Sequence, residues 1–323
     1  NVYNWGEYID LSLIPEFEKE TGIKVNYTTY ESNESMYAKV SSGAASYDVV
    51  IPSDYMISKM ISEDLLAELD FNNIPNYSLI GDDYKGLSFD PENKYSVPYT
   101  WGTVTIIYNK SLVDAKDVED KSIDLLWNEK YSGQILMFDN PRDAFGLALK
   151  KLGYSMNSLD EGQWKEAAEI LKAQKPLVQA YVMDQIFDKM SSGEAAIAPY
   201  YAGDALIMQE SNPDIDFYIP KEGTNMFVDA MCVLKSSPHK TEAEQFINYM
   251  CSTHAAVKNA EEIGYATPQL EARAELDPTI TSNPTVYPST ETLASTEVFL
   301  NLPAKINQLQ SDLWTEIKNA QAG

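Results

Sequence analysis

Histidine, cysteine and basic residues are what this chain of 323 residues has little of, and each shortage removes a class of function. Only His239 and His254 are present, and His239 falls in the turn Ser236-Ser237-Pro238-His239, so histidine-based catalysis or metal ligation has almost nothing to build on. Cys232 and Cys251 stand without a CxxC or a neighbouring histidine, which removes zinc and redox-motif readings and leaves two buried thiols or one disulfide. Lys and Arg total 24 against 49 Asp and Glu, a formal net charge of -25, which argues against nucleic acid and anionic membrane surfaces. The natural small partner of such a surface is a cation, although excess acid also serves solubility alone. No run of 18 apolar residues spans a membrane, and no charged segment with an apolar run behind it precedes Asn1. A chain that starts on a strand without Met is expected to be a processed one. The patterns GxGxxG, GxxxxGK[ST], GxSxG, HExxH and the EF-hand loop are all missing, so dinucleotide, phosphate, acyl-transfer, zinc-protease and calcium chemistry lack their residues. Carboxylate pairs for a glycosidase are guaranteed by chance among 49 acids and carry little weight.

What is present is enough chain for two domains of ordinary size, with hydrophobic residues at 44% to fill both. The pattern alternates strand and helix. Residues 2–3 read as a strand end, 11–21 as a helix stopped by Gly22, and 23–27 as a second strand, a β-α-β opening of a parallel sheet. Residues 34–40 read as a helix, 47–52 as a buried strand ending at Pro52, 56–66 as a helix, and 71–95 as irregular surface. A strand over 104–109 follows, with a junction near Gly102 as a crossing between domains. Further on, 133–138 and 195–199 read as strands, 144–153, 161–174 and 182–191 as helices, and 226–234 as a long apolar strand. The last stretch, 303–319, reads as a closing helix.

Aromatic and acidic residues recur together at the ends of these strands. The sharpest cluster is Trp5-Gly6-Glu7-Tyr8, where two aromatic faces and one carboxylate share a loop and Gly6 frees the backbone between bulky neighbours, a set suited to an organic cation. Its bland alternative is a hydrophobic lid over the sheet edge. Asp54-Tyr55, Tyr200-Tyr201 with Asp204, Phe227 with Asp229, and Asn140 with Asp143 are the others. Asp229 interrupts an apolar strand, so if buried it needs a partner, and a structural salt bridge is the competing account.

With those residues set out, the chain resembles the spermidine/putrescine-binding family of bacterial ABC importers over essentially its whole length. The resemblance is carried by YNWGEYI at 3–9, FEKETGIKV at 17–25, TYESNESMYAK at 29–39, YDVVIPSDYM at 47–56, FDPENKYSVPYTWG at 89–102, KKLGYS at 150–155, PKEG at 220–223, IGYATP at 263–268 and YPSTET at 287–292. It implies an α/β, two-lobed periplasmic-binding-protein-like fold of type II. Each lobe would be a mixed sheet flanked by helices, with residues 1–103 plus 228–295 in one and 104–227 plus 296–323 in the other. The ligand would lie in the cleft between them. By position it implies ligand contacts at Trp5, Gly6, Glu7, Tyr8, Ser53, Tyr55, Asn140, Asp143, Tyr201, Phe227, Asp229 and Tyr287, to which the residue reading adds Asp54 and Asp204. The sequence departs from the family pattern at Gly6, where a hydroxyl residue is usual, at Asn140, where an acid is usual, and at Tyr201 and Phe227, which replace tryptophans. For the family's C-terminal Gln contact it offers only Leu300 or Asn301. The expected protein is a monomer without cofactor, metal or catalysis. It sits in the periplasm or is lipid-anchored outside the cell, binds a polyamine and docks on a membrane permease. A ferric-ion binder, motivated by Tyr200-Tyr201, or a binder of another organic cation is the alternative within the fold, and a carbohydrate-active enzyme the alternative outside it.

Overall fold

The computed structural model describes residues 1–320. The chain folds as two compact units, Asn1–Trp101 with Phe227–Asn283, and Gly102–Met226 with the chain from Pro284 onward. In chain order the elements are β1 (Val2–Trp5), α1 (Leu13–Thr21), β2 (Tyr27–Tyr30), α2 (Asn33–Ser41), β3 (Val49–Val50), α3 (Asp54–Ser62) and β4 (Val97–Asn109). Then come β5 (Ile135–Phe138), α4 (Pro141–Lys151), α5 (Glu161–Gln174), β6 (Val178–Val182), α6 (Ile186–Ser191), β7 (Ile197–Tyr201), α7 (Ala202–Ser211) and β8 (Ile215–Tyr218). The last part holds β9 (Met226–Val233), α8 (Lys240–Met250), α9 (Thr253–Ile263), α10 (Leu270–Glu275), α11 (Pro278–Thr281), α12 (Thr290–Leu293) and α13 (Ala304–Asn319).

In the first unit β1 runs parallel to both β2 and β3, and β9 closes on β3 in the opposite direction. A strand with parallel neighbours on both sides is covered on both faces, which explains why Val2, Tyr3 and Asn4 are all buried. Helix α1 turns Leu13 and Phe17 into this core, where Phe17 meets Phe246 edge to face at 5.4 Å. Gly22 ends α1 with φ at +74° and its N–H on the Glu18 carbonyl, the left-handed stop that the sequence signals. In the second unit β7 pairs antiparallel with β4 and parallel with β5, β6 runs parallel to β5, and β8 lies antiparallel on β4. Phe145 of α4 packs on the fully buried Trp164 of α5 at 5.3 Å, and Trp314 of α13 lies 6.3 Å from Phe145. The Lys175 ammonium donates to the carbonyls of Ile317, Lys318 and Ala320, closing the C-terminal turn of α13. Both units are therefore mixed sheets flanked by helices, as expected.

Several elements fall elsewhere than their patterns suggest. The second strand is not 23–27 but Tyr27–Tyr30, because Thr21 Oγ1 takes the Ile23 N–H and Glu18 takes the Val25 N–H, holding the approach on α1. The strand expected over 47–52 pairs only at Val49–Val50, with Pro52 continuing extended and accepting from Ala230 N–H. Residues 182–191 are not one helix: the chain makes β6 first and α6 only from Ile186, and β6 is half-exposed along most of its length, so its alternation is weak. The stretch 71–95 contains three short 3-10 turns. Residues 284–295, grouped with the first lobe in the sequence reading, fall in the second unit. Met226 N–H reaches the Glu297 carbonyl and Glu297 N–H the Thr224 carbonyl, which binds the following chain there. Cys232 and Cys251 are two buried free thiols rather than a disulfide, and burial pushes the Cys251 thiol up to about 12. Among the described residues no helix is long and apolar enough to cross a membrane.

Gly223 adopts φ of +98°, and a Cβ there would sit 2.4 Å from the Ser295 carbonyl oxygen. Gly223→Ala is expected to destabilise the protein by about 3 kcal/mol or more, since a left-handed backbone and a clash with main chain act together. Thermal unfolding checks this: a melting temperature equal to that of the parent protein would refute it.

Candidate functional site

The first unit builds its part of the site where β1 ends. Trp5 donates its indole N–H to the Ile51 carbonyl at 2.8 Å and leans on Tyr30 at 4.7 Å, which fixes the ring while leaving it half exposed. Asn4, fully buried, ties the following turn together: Oδ1 accepts from Trp5 N–H at 2.8 Å and Nδ2 donates to the Tyr8 carbonyl at 3.2 Å. The left-handed residue in that turn is Glu7, with φ of +50°. A Cβ on Gly6 would meet nothing within 4 Å, so glycine here leaves room beside the exposed Glu7 instead of relieving strain.

Tyr8 is held from both ends. Tyr99 donates to its carbonyl at 2.5 Å, and its own hydroxyl donates to Asp229 Oδ2 at 2.5 Å while also bonding the Thr100 hydroxyl. Asp229 is 6% exposed on β9, opposite Ser53 across an antiparallel bridge, and its Oδ1 has no hydrogen-bond partner. The structural salt bridge that competes as an account of a buried Asp229 is not among the ion pairs of the described residues; hydroxyls stand in its place. Burial pushes the carboxyl up to about 6, against the lowering pull of the Ser53 and Tyr8 hydroxyls. Asp54 is buried beside it but spends its oxygens on backbone, Oδ2 on Val228 N–H at 3.1 Å and Oδ1 on Tyr55 N–H at 2.7 Å, so it pins the start of α3 to β9. Tyr55 accepts from Asn33 Nδ2 at 3.0 Å and donates to Glu34 at 2.9 Å. Phe227 and Tyr8 each stand 5.6 Å from the ring of Tyr265.

The second unit repeats the theme with other elements. Asn140 caps α4, its Oδ1 taking the Arg142 N–H at 3.0 Å, and its Nδ2 donates to Asp143 Oδ2 at 2.8 Å. Tyr201, at the end of β7, donates to the same oxygen at 2.9 Å. Burial pushes Asp143 up to about 6, with Tyr201 and the Arg142 charge pulling the other way. Tyr201 packs between Phe138 at 5.5 Å and Tyr200 at 4.8 Å. Asp204 sits half-buried in the first turn of α7, and Tyr287 is buried in the chain leading to α12.

Within the first unit Tyr8, Ser53, Asp54 and Asp229 come together, with Trp5, Tyr55 and Phe227 on neighbouring elements; within the second, Asn140, Asp143 and Tyr201 do. Sequence reading missed the supports: Asn4, Tyr30, Asn33, Tyr99, Thr100 and Tyr265. Two signals for them existed. Asn4 is a polar residue in a buried strand, as Asp229 is, and Tyr99-Thr100 lie in the aromatic run that opens β4.

Residues 12–288 match the family model described as bacterial extracellular solute-binding protein. The spermidine/putrescine-binding periplasmic protein of Escherichia coli strain K12 is 38% identical over 296 residues, covering 91% of this chain and 84% of that protein. A putrescine/cadaverine-binding protein of Pseudomonas aeruginosa is 30% identical over 330 residues, covering 98% and 92%. Among solved structures, a spermidine/putrescine ABC transporter substrate-binding protein of Streptococcus pneumoniae superimposes with a TM-score of 0.89 at 39% identity, over 98% of this chain and 97% of that one.

A carboxyl raised in the folded state favours folding below its unfolded value, near 3.8, and that contribution is lost as pH rises through the folded value, about 6. At 1.36 kcal/mol per pH unit the loss for Asp229 is roughly 3 kcal/mol. Ligand-free protein should therefore gain stability relative to Asp229→Asn as pH falls from 7.5 to 5. Denaturant unfolding of both at the two pH values measures it; parallel pH dependences would show that Asp229 titrates normally.

Proposed function

The chain belongs to the bacterial extracellular solute-binding proteins, and from that premise we propose that it captures a polyamine outside the cytoplasm and delivers it to the permease of an ABC importer. The observation that carries the reading is Asp229, a buried carboxylate whose Oδ1 has no donor. An ionised carboxylate in that position is costly alone, and an arriving ammonium supplies both the counter-charge and the missing N–H. Asp143 offers a second buried carboxylate in the other unit, with Asn140 and Tyr201 both donating to its Oδ2. Trp5, Tyr8 and Phe227 give flat faces for methylenes and cation-π attraction, and exposed Glu7 adds negative charge beside Gly6. Ser53 and Tyr55 contribute hydroxyls, and Tyr287 and Asp204 are assigned to the same ligand by their aligned or strand-end positions. Asp54 serves by holding α3 against β9.

The relatives' names support this class of ligand. No residue here is given a catalytic role, and we assign the protein, as a monomer, to the periplasm or to a lipid anchor on the outer face of the membrane. The ferric-ion alternative draws little support from Tyr200-Tyr201. Burial pushes the Tyr200 hydroxyl up, away from tyrosinate, and Tyr201 donates its proton to Asp143. Mass spectrometry of the small molecule released on denaturing the purified protein tests the reading directly; a bound metal or sugar and no polyamine would overturn it.

Asp229→Asn should weaken polyamine binding more than loss of any exposed acid, by about 1.5–3 kcal/mol or roughly 10–150-fold. Calorimetry giving an affinity within twofold of the parent would remove Asp229 from the site. Selectivity follows from the second unit. Asn140 carries no charge and spends its amide on Asp143, and the Tyr201 hydroxyl is spent there too, so one carboxylate remains where the family pattern has two. Spermidine is therefore expected to be preferred over putrescine by less than about tenfold, or 1.4 kcal/mol. Competition calorimetry at fixed salt decides it, and a hundredfold preference either way would show that selectivity is set elsewhere.

A further inference from the structure

Thr100 on β4 bonds the same Tyr8 hydroxyl that reaches Asp229 Oδ2 at 2.5 Å, and all three side chains are buried in the first unit. A phenol carries one proton, and an ionised carboxylate only accepts. The Tyr8 O–H therefore points at Asp229 Oδ2, and the hydrogen between Tyr8 and Thr100 must come from Thr100. The donors run one way, from Thr100 to Tyr8 to Asp229. Each bond in such a chain polarises the next, so a donor two steps back strengthens the one that meets the charge. We propose that Thr100 is a positioning residue for ligand capture: by donating to Tyr8 it commits the Tyr8 proton to Asp229 Oδ2 and leaves Oδ1 as the oxygen that receives the ligand's ammonium.

This rests on the polyamine reading for its ligand but not for its geometry. The other groups facing Asp229 do not duplicate the role. The Ser53 hydroxyl, across the bridge from β9, also favours the ionised form of Asp229 but acts on it directly and not through Tyr8; Asp54 is engaged by backbone N–H groups, and Tyr30 and Tyr99 donate to the carbonyls of Ile51 and Tyr8. No lysine or arginine among the described residues pairs with Asp229 in a salt bridge, so hydroxyl donors hold the ionised form. Without the Thr100 donor the Tyr8 hydroxyl gives a weaker bond, Asp229 holds its own proton to higher pH, and an ammonium must compete with that proton. Thr100 also lines a cavity of about 20 Å³ with Asn259 and Gln269, which leaves room for an isosteric methyl.

The test compares Thr100→Val, Thr100→Ser, Tyr8→Phe and the double variant Tyr8→Phe with Thr100→Val. In ligand-free protein, carboxyl carbon NMR follows Asp229, assigned through Asp229→Asn. Thr100→Val should raise its midpoint by about half a pH unit or more and Thr100→Ser should leave it in place. Spermidine affinity at pH 7.5 should fall roughly 3–10-fold in Thr100→Val, return to within about twofold in Thr100→Ser, and fall no further when Thr100→Val is added to Tyr8→Phe. An unmoved midpoint in Thr100→Val, or an affinity loss that persists undiminished in the Tyr8→Phe background, overturns the proposal. If Thr100→Val does not fold, Thr100→Ala carries the same two readouts. If the parent protein binds no polyamine, the transport reading fails, while the titration of the free protein still decides the role of Thr100.

Discussion

An ionised carboxylate buried without a cation is the constraint on which the site depends. Asp229 and Asp143 are both pushed up by desolvation, and each receives a tyrosine hydroxyl on one oxygen, Tyr8 on the first and Tyr201 on the second. Neutral donors moderate the cost of such a charge without cancelling it. A lysine or arginine paired with Asp229 would satisfy that carboxylate permanently, whereas Asp143 already feels the charge of Arg142. The cost is thus held in solvation rather than in backbone geometry.

The surrounding structure is arranged to keep these groups still. Asn4 and Tyr99 fix both ends of the turn that carries Tyr8, Asp54 pins α3 to β9, and Asn140 both caps α4 and steadies Asp143. These side chains spend their hydrogen bonds inside the protein. Their contribution is preorganisation, which lowers the entropy lost on binding. Asp54 belongs to this scaffold through its bonds to the Val228 and Tyr55 N–H groups.

What was legible in the sequence follows from what each signal reports. The strand and helix periods located most elements because they reflect burial of one face, and Asp229 stood out because a charge inside an apolar run has no bland explanation in packing. The approach to β2 misled because Glu18 and Thr21, not the sheet, hold residues 23–25, and β6 escaped because a half-buried edge strand has little alternation to show. The roles of Thr100 and Tyr99 were hidden for another reason: they lie in which group of Tyr8, some ninety residues away, each one meets, the hydroxyl for Thr100 and the carbonyl for Tyr99. The free thiols of Cys232 and Cys251 were undecidable from spacing alone, since pairing depends on geometry that sequence separation does not carry.

The pairing of β3 with β9 has a consequence for how the protein comes into being. Val49 and Val50 lie opposite Val233 and Cys232, so the first sheet keeps an open edge until more than two hundred residues have been made. Any compact state formed earlier lacks that strand, and the missing strand is the one that carries Asp229. The buried carboxylate of Asp229 therefore reaches its Tyr8 and Ser53 neighbours only with the act that closes the sheet.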